Sequence, residues 1–166
     1  TVLADIPAAA CKIGLLGSLD AIHAVAAILQ SLPGVPLVLD PVLAAGGGGP
    51  LSSEAIQHAL RAHLLPLVTV LTPNSHEARL LGGASELPEA ARNLLSHGCR
   101  HVLITGAHED RPEVRNTLYH FTGEVLEELS WPRLPGEYHG SGCTLASALA
   151  AGLAHGREMR EANRKA

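Results

Sequence analysis

Short apolar runs alternate along this chain with stretches of helical periodicity, and few architectures accommodate that order. Residues 10–16, 35–39, 67–71 and 101–104 read as buried strands. Each is stopped by turn chemistry: Gly17-Ser18, Asp40-Pro41, Thr72-Pro73 and Thr105-Gly106. Helical patterns fill the intervals. Residues 19–31 place Ile22, Val25, Ala26, Ile28 and Leu29 on one side and end at Pro33-Gly34. A helix capped by Ser52-Ser53-Glu54 runs to about Leu65, after a loop holding Gly46 to Gly49 and Pro50. A short helix runs from Asn74 to Gly82-Gly83, and another spans 86–97. Residues 114–121 and 124–130 form a hairpin about Thr122-Gly123. An apolar helix over 145–153 and a charged tail over 157–166 complete the chain. Strands alternating with helices predict an α/β fold with a mostly parallel sheet, and ligands bind such sheets beyond the carboxyl ends of the strands.

A length of 166 residues suits one domain, and 46% apolar with 17% charged residues marks a globular chain. The net charge of −4, without a basic block, argues against nucleic acid or a membrane surface as partner. Cys11, Cys99 and Cys143 are odd in number, widely spaced and outside any Cys-x-x-Cys motif, the usage of a reducing compartment. With no secretory signal or membrane-length apolar run visible, the expectation is a cytoplasmic protein. The sequence does not open with methionine, so its natural N-terminus is expected upstream.

Four places carry candidate chemistry. His139-Gly140-Ser141-Gly142-Cys143-Thr144 stands directly before the apolar helix. Helix N-termini carry unpaired N–H groups and partial positive charge, and glycines let an anion approach them closely. The same helix end is expected to lower the pKa of the Cys143 thiol. A turn with a small buried cysteine is the structural alternative. Asp40 ends a strand, where a carboxylate orients a metal ion or a hydroxyl, although Asp-Pro also initiates turns. Asn74 and Glu77 are spaced as a capping box, or as an oxygen ligand set in which Glu77 holds magnesium through water. Thr105-Gly106 places a hydroxyl near nucleotide phosphates or simply ends a strand. His97 and His101 are separated by Gly98 and a predicted strand, so they make no zinc pair. The chain has no Walker A sequence, no Gly-x-Gly-x-x-Gly and no Gly-x-Ser-x-Gly.

In order, Lys12-Ile13-Gly14-Leu15-Leu16-Gly17, Val38-Leu39-Asp40-Pro41-Val42, Leu71-Thr72-Pro73-Asn74 with Glu77, and His139 to Leu145 resemble the hydroxymethylpyrimidine/phosphomethylpyrimidine kinases of thiamine biosynthesis, a ribokinase-like family. The likeness covers nearly the whole chain, and cysteine in the cradle is its most specific element. It implies a three-layer αβα ribokinase-like domain over residues 1–166, the C-terminal two-thirds of the family domain, with an incomplete sheet. It implies ATP-dependent phosphorylation of 4-amino-5-hydroxymethyl-2-methylpyrimidine, its monophosphate, or both, with ATP and Mg2+. Gly140, Ser141, Gly142 and Cys143 are implied as the anion hole, with Cys143 beside the substrate hydroxyl as proton acceptor. Asp40, Asn74, Thr105, Gly106 and Thr144 are implied at the nucleotide, Glu77 and Asp40 at the metal, and Val42 at the pyrimidine. A homodimer is implied as well.

Two departures stand out. Thr105-Gly106-Ala107-His108 replaces the Lys-Gly-Gly-His of many members, removing a cation from the phosphates. The family's opening strand and Gly-rich Asp-Pro-Ser-Gly-Gly-Ala-Gly loop are absent, as is a C-terminal helix region. Pyridoxal kinase, of the same superfamily, is the neighbouring reading. A non-catalytic domain that binds a phosphorylated pyrimidine and an inert structural fragment are the readings from other classes.

Overall fold

A six-stranded sheet with helices on both faces positions every candidate residue. The computed structural model describes residues 2–43, 52–136 and 138–166. The expected Gly46–Pro50 loop lies outside them. A short helix α1 (Val2–Asp5) precedes β1 (Cys11–Ile13), α2 (Leu19–Gln30) and β2 (Leu37–Leu39). Helix α3 (Glu54–Ala59) continues through a π turn, Leu60–Leu64, and a 3-10 turn, Leu65–Leu67, into β3 (Val70–Leu71). Then follow α4 (Ser75–Gly82), α5 (Leu87–Ser96), β4 (His101–Ile104), the hairpin β5 (Glu113–His120) and β6 (Val125–Pro132), α6 (Ser141–Ala154) and α7 (Met159–Lys165). The strands lie in chain order, β1 to β4 parallel and the hairpin antiparallel at one edge.

Alternation along the strands divides the core in two. Leu37, Leu39, Leu71, Val102 and Ile104 face α2 to α5, where Ile22, Leu64 and Leu94 are fully buried. Val38, Val70, Leu103 and Leu118 face the other way, onto Ala146, Leu149, Met159 and Ala162 of α6 and α7. Strands buried on both faces need continuous apolar sequence, which is why these short runs carry so little polarity. Ser18 and Ser53 accept N–H bonds from Ala21 and Ile56 and start α2 and α3. Gly83, at φ +62°, closes α4 in the left-handed conformation.

The three-layer α/β architecture agrees with the sequence expectation, and five local readings are corrected. The strands expected over 10–16 and 35–39 shorten to Cys11–Ile13 and Leu37–Leu39. That expected over 67–71 shortens to Val70–Leu71, because Pro66 favours a 3-10 turn through Leu67. The charged tail contains α7, whose Met159, Ala162 and Asn163 are buried. Helix α1 was not anticipated. Gly152 of α6 admits α7: a Cβ there would stand 3.0 Å from that of Ala162.

The α4–α5 junction depends on a second small residue. A Cβ at Gly82 would lie 2.7 Å from the Ala90 carbonyl oxygen, a backbone atom with no room to yield. Gly82→Ala is therefore expected to destabilise the fold by about 1–3 kcal/mol, read from urea unfolding, despite alanine's better helix propensity.

Candidate active site

The carboxyl ends of β1 to β4 and the start of α6 converge on one polar edge. Its first element is an anomaly in the sheet. Lys12 is in register with Val38, and Val38 with Val70, on the face that packs against α6. Lys12 is the charged member of that apolar row, and its ammonium lies 3.2 Å from Asp40 Oδ2. Gly14, two residues on and so on the same face, leaves space for it: a Cβ there would sit 3.0 Å from Lys12 Nζ. Asp40 extends the β1–β2 ladder by one bond, its N–H donating to the Ile13 carbonyl at 2.8 Å, which fixes its carboxylate in a buried position.

Beyond β3, Asn74 and Glu77 form the anticipated capping box. Asn74 Oδ1 accepts the Glu77 N–H and Glu77 Oε2 accepts the Asn74 N–H, each at 3.0 Å. Glu77 does more than cap, because its Oε1 accepts the N–H of Leu43, also at 3.0 Å. Between Asp40 and Leu43 the chain turns through Val42, which has φ +38°. A β-branched residue in that region carries strain of about 1–3 kcal/mol. Burial raises the pKa of Glu77 above the ordinary carboxylate range; Asp40 adds to the rise, and the two N–H bonds and His108 oppose it.

After β4, Thr105 joins this edge to Asn74 by a short parallel bridge, its N–H donating to Pro73 and its carbonyl accepting from Ser75. The Gly106 N–H is taken by Asn116 Oδ1 at 3.2 Å, and a Cβ at Gly106 would collide with the Arg115 carbonyl. The fold itself therefore requires that glycine. Two arginines hold the loop that follows. Arg79 meets Glu109 with bonds of 2.7 and 3.0 Å and holds its carboxyl down to about 2. Arg133 donates to the carbonyls of Ala107, Glu109 and Arg111.

Helix α6 begins at Gly140, in the left-handed region at φ +83°, with no side-chain cap. Its first-turn N–H groups have no earlier helical carbonyl to reach. The Thr144 hydroxyl is turned back to the Gly140 carbonyl at 2.9 Å. Gly142 needs neither a positive φ nor space against a described neighbour, since among the described residues nothing lies within 4 Å of a Cβ placed there. Open space above a helix N-terminus is what an approaching anion requires. The expectation for Cys143 is corrected: its thiol pKa is raised, not lowered. The thiol donates to Asp40, and desolvation and the Asp40 charge add to the effect, while Lys12 opposes it.

The structure thus gathers Asp40, Glu77 and Cys143 into one electrostatic group, with Asn74, Thr105 and Val42 around it. Lys12 and Leu43 are the members that motif reading missed. Lys12 carried a legible signal, a charge inside an apolar strand. Leu43 contributes a backbone N–H and carries none. Two neighbouring buried carboxylates, with the Asp40 charge raising the Glu77 pKa, are the residues that could hold a divalent cation. Among the described residues no group of three or more His, Cys, Asp or Glu could hold a metal ion. Magnesium binds through as few as one or two carboxylates, with water and substrate phosphate completing its shell.

A doubly sided, mostly parallel sheet with an anion cradle at its carboxyl edge is a small-molecule kinase architecture, and comparison agrees. A family model described as phosphomethylpyrimidine kinase matches residues 1–166, and the chain belongs to that family. The hydroxymethylpyrimidine/phosphomethylpyrimidine kinase of Haemophilus influenzae is 37% identical, over 95% of this chain and 62% of its own length. The Bacillus subtilis pyridoxal kinase–ADP complex superposes with a TM-score of 0.85 at 34% identity, covering 98% of this chain and 62% of that one. Phosphomethylpyrimidine kinase from Clostridium difficile gives 0.81 at 29% identity, covering 98% and 68%. The chain spans about three-fifths of the Haemophilus relative.

Two outcomes follow from this geometry. Gly142→Ala is expected to raise the unfolding free energy by about 0.5–1 kcal/mol, as glycine is poor inside a helix, while weakening ATP binding in a calorimetric titration. Glu109 has a folded pKa of about 2 against 4.5, so its contribution is fully present above pH 4.5 and lost as pH falls towards 2. Glu109→Gln should flatten that part of an acid-unfolding profile, by about 1 kcal/mol or less given the pair's partial exposure.

Proposed function

We propose that this chain is the phosphoryl-transfer part of an ATP-dependent kinase acting on 4-amino-5-hydroxymethyl-2-methylpyrimidine, its monophosphate, or both, in thiamine biosynthesis. The observation that carries this reading is the open α6 N-terminus with Cys143 facing Asp40, in a chain matched throughout by the family model. Gly140, Ser141, Gly142 and Cys143 surround the transferring phosphoryl, whose chemistry calls mainly for positioning and charge neutralisation. Asn74 and Thr105 line the nucleotide side, and Gly106 and Thr144 hold the backbone beneath it. Asp40 and Glu77 are the residues that would hold magnesium, which would supply neutralisation of phosphate charge.

The Cys143 thiol first gives its own proton to solvent, and the resulting thiolate takes the proton of the acceptor hydroxyl. The hydroxyl oxygen then bonds to the γ-phosphorus of ATP, and the bond from that phosphorus to the bridging oxygen breaks to leave ADP. In the resting site Asp40 keeps the thiol protonated, so the thiolate forms only when that carboxylate is neutralised. Lys12, 3.2 Å away, supplies part of this.

Pyridoxal phosphorylation is the second reading, favoured by the high superposition on the pyridoxal kinase. The three free cysteines suit a reducing cytoplasm, and no described helix is long and apolar enough to cross a membrane. A homodimer fits the family resemblance.

Phosphate transfer from ATP, assayed with the pyrimidine alcohol, its monophosphate and pyridoxal, tests the assignment. Turnover of a pyrimidine is expected, falling about 10²- to 10⁴-fold in Cys143→Ala. Transfer to pyridoxal alone would move the chain to the second reading. Tight monophosphate binding without turnover would make it a binding domain.

A further inference from the structure

We infer that Glu77 is a positioning residue for the acceptor, clamping the turn from Asp40 to Leu43 so that Val42 is held in a left-handed backbone and presented beside Cys143. The acceptor's part in this rests on the kinase reading above; the clamp does not.

The turn is fixed at both ends. At one end the Asp40 N–H donates to the Ile13 carbonyl at 2.8 Å. At the other the Leu43 N–H donates to Glu77 Oε1 at 3.0 Å. Pro41 lies between them, its φ locked by its ring and with no N–H to offer. Val42 is the residue left to reverse the chain, and it does so at φ +38°.

Glycine would adopt that conformation without strain, whereas valine is among the residues least suited to it. The valine side chain therefore has a use that the backbone does not explain. It is half-buried, two residues from the carboxylate that meets the Cys143 thiol. An isopropyl group there forms an apolar wall next to the site of proton transfer, the surface on which a flat heteroaromatic acceptor rests.

Glu77 suits the clamping task because it is already immobile. It is buried, and its second oxygen is occupied by the Asn74 N–H at 3.0 Å, so the capping box fixes the carboxylate before Leu43 engages it. A carboxylate acting only as a cap would use one oxygen. Loss of the clamp frees Val42 to relax to an ordinary φ and turns its side chain away from the acceptor.

The test is a double-mutant cycle in the full-length chain with Glu77→Ala, Val42→Ala and the pair, measuring kcat and separate KM values for acceptor and ATP. Glu77→Ala is expected to raise acceptor KM about tenfold with Val42 present, the scale of one lost apolar contact, and to change it less than about twofold once Val42 is alanine. Equal effects in both backgrounds, or a rise confined to ATP KM, would overturn the inference. Should Glu77→Ala not fold, Val42→Ala alone decides: an unchanged acceptor KM overturns the inference, and a raised one with constant ATP KM supports it. Amide hydrogen exchange reads the clamp without turnover. In Glu77→Ala, Leu43 should lose protection while Asp40 keeps it; retained protection at Leu43 would remove the clamp even if the kinase assignment stands.

Discussion

Asp40, just past β2, and Glu77, in the first turn of α4 after β3, are buried carboxylates, and the Asp40 charge adds to the rise that burial causes in the Glu77 pKa. Most of the site's local structure answers that constraint. Lys12, in register with Val38 and Val70 in a row that continues to His101, reaches Asp40 just past the adjacent strand, and the missing Cβ of Gly14 leaves its ammonium uncrowded. Two backbone N–H groups, from segments more than thirty residues apart, converge on Glu77. The Cys143 thiol gives its proton's bond to Asp40. A buried charge without such partners would cost far more than the fold can supply. The partners also tie the exits of β1, β2 and β3 to one another. A parallel sheet makes this possible, because its strands deliver their carboxyl ends to the same edge.

The exit of β4 is held by other means. Its loop is clasped by Arg79 from α4 and Arg133 from beyond the hairpin, and Gly106 presses directly on the Arg115 backbone. Thr105 is thereby fixed beside Asn74 by backbone bonds alone. The hairpin is thus a buttress: its residues carry no part of the proposed chemistry, yet they set the position of the loop that follows Thr105.

What the sequence disclosed follows the physics of each element. Long periodic segments such as α2 and α5, and the His101–Ile104 strand, were legible because burial pattern alone specifies them. The short strands are shorter than their apolar runs because their ends are set by neighbours: Pro66 redirects the chain before the two-residue β3, and β1 stops where Lys12 and Gly14 face the site. Helix α7 was hidden by charge, its buried face being only Met159, Ala162 and Asn163. The motif residues at the sheet edge were readable from residue type. The Leu43 N–H and the direction of the Cys143 shift were not, because the first is backbone and the second depends on Asp40, a hundred residues away in sequence. The helix-end argument for an acidic thiol was sound locally; a carboxylate brought in by the fold outweighs it.

That balance bears on how phosphate charge is met. Thr105 stands where many relatives have lysine in the likeness drawn above, and the Lys12 ammonium is already engaged by Asp40. In the proposed kinase a triphosphate at this edge would find little free side-chain cation among the motif residues, and its neutralisation would fall on the first-turn N–H groups of α6 and on a divalent ion that Asp40 and Glu77 would hold. Both attract the oxygens of the transferring group and not the remote ends of the nucleotide. An arrangement of that kind favours the point at which charge accumulates during transfer over simple nucleotide retention, the direction in which binding energy accelerates a reaction. On that reading Gly142, which needs none of glycine's conformational freedom, would let the phosphate oxygens approach the backbone itself.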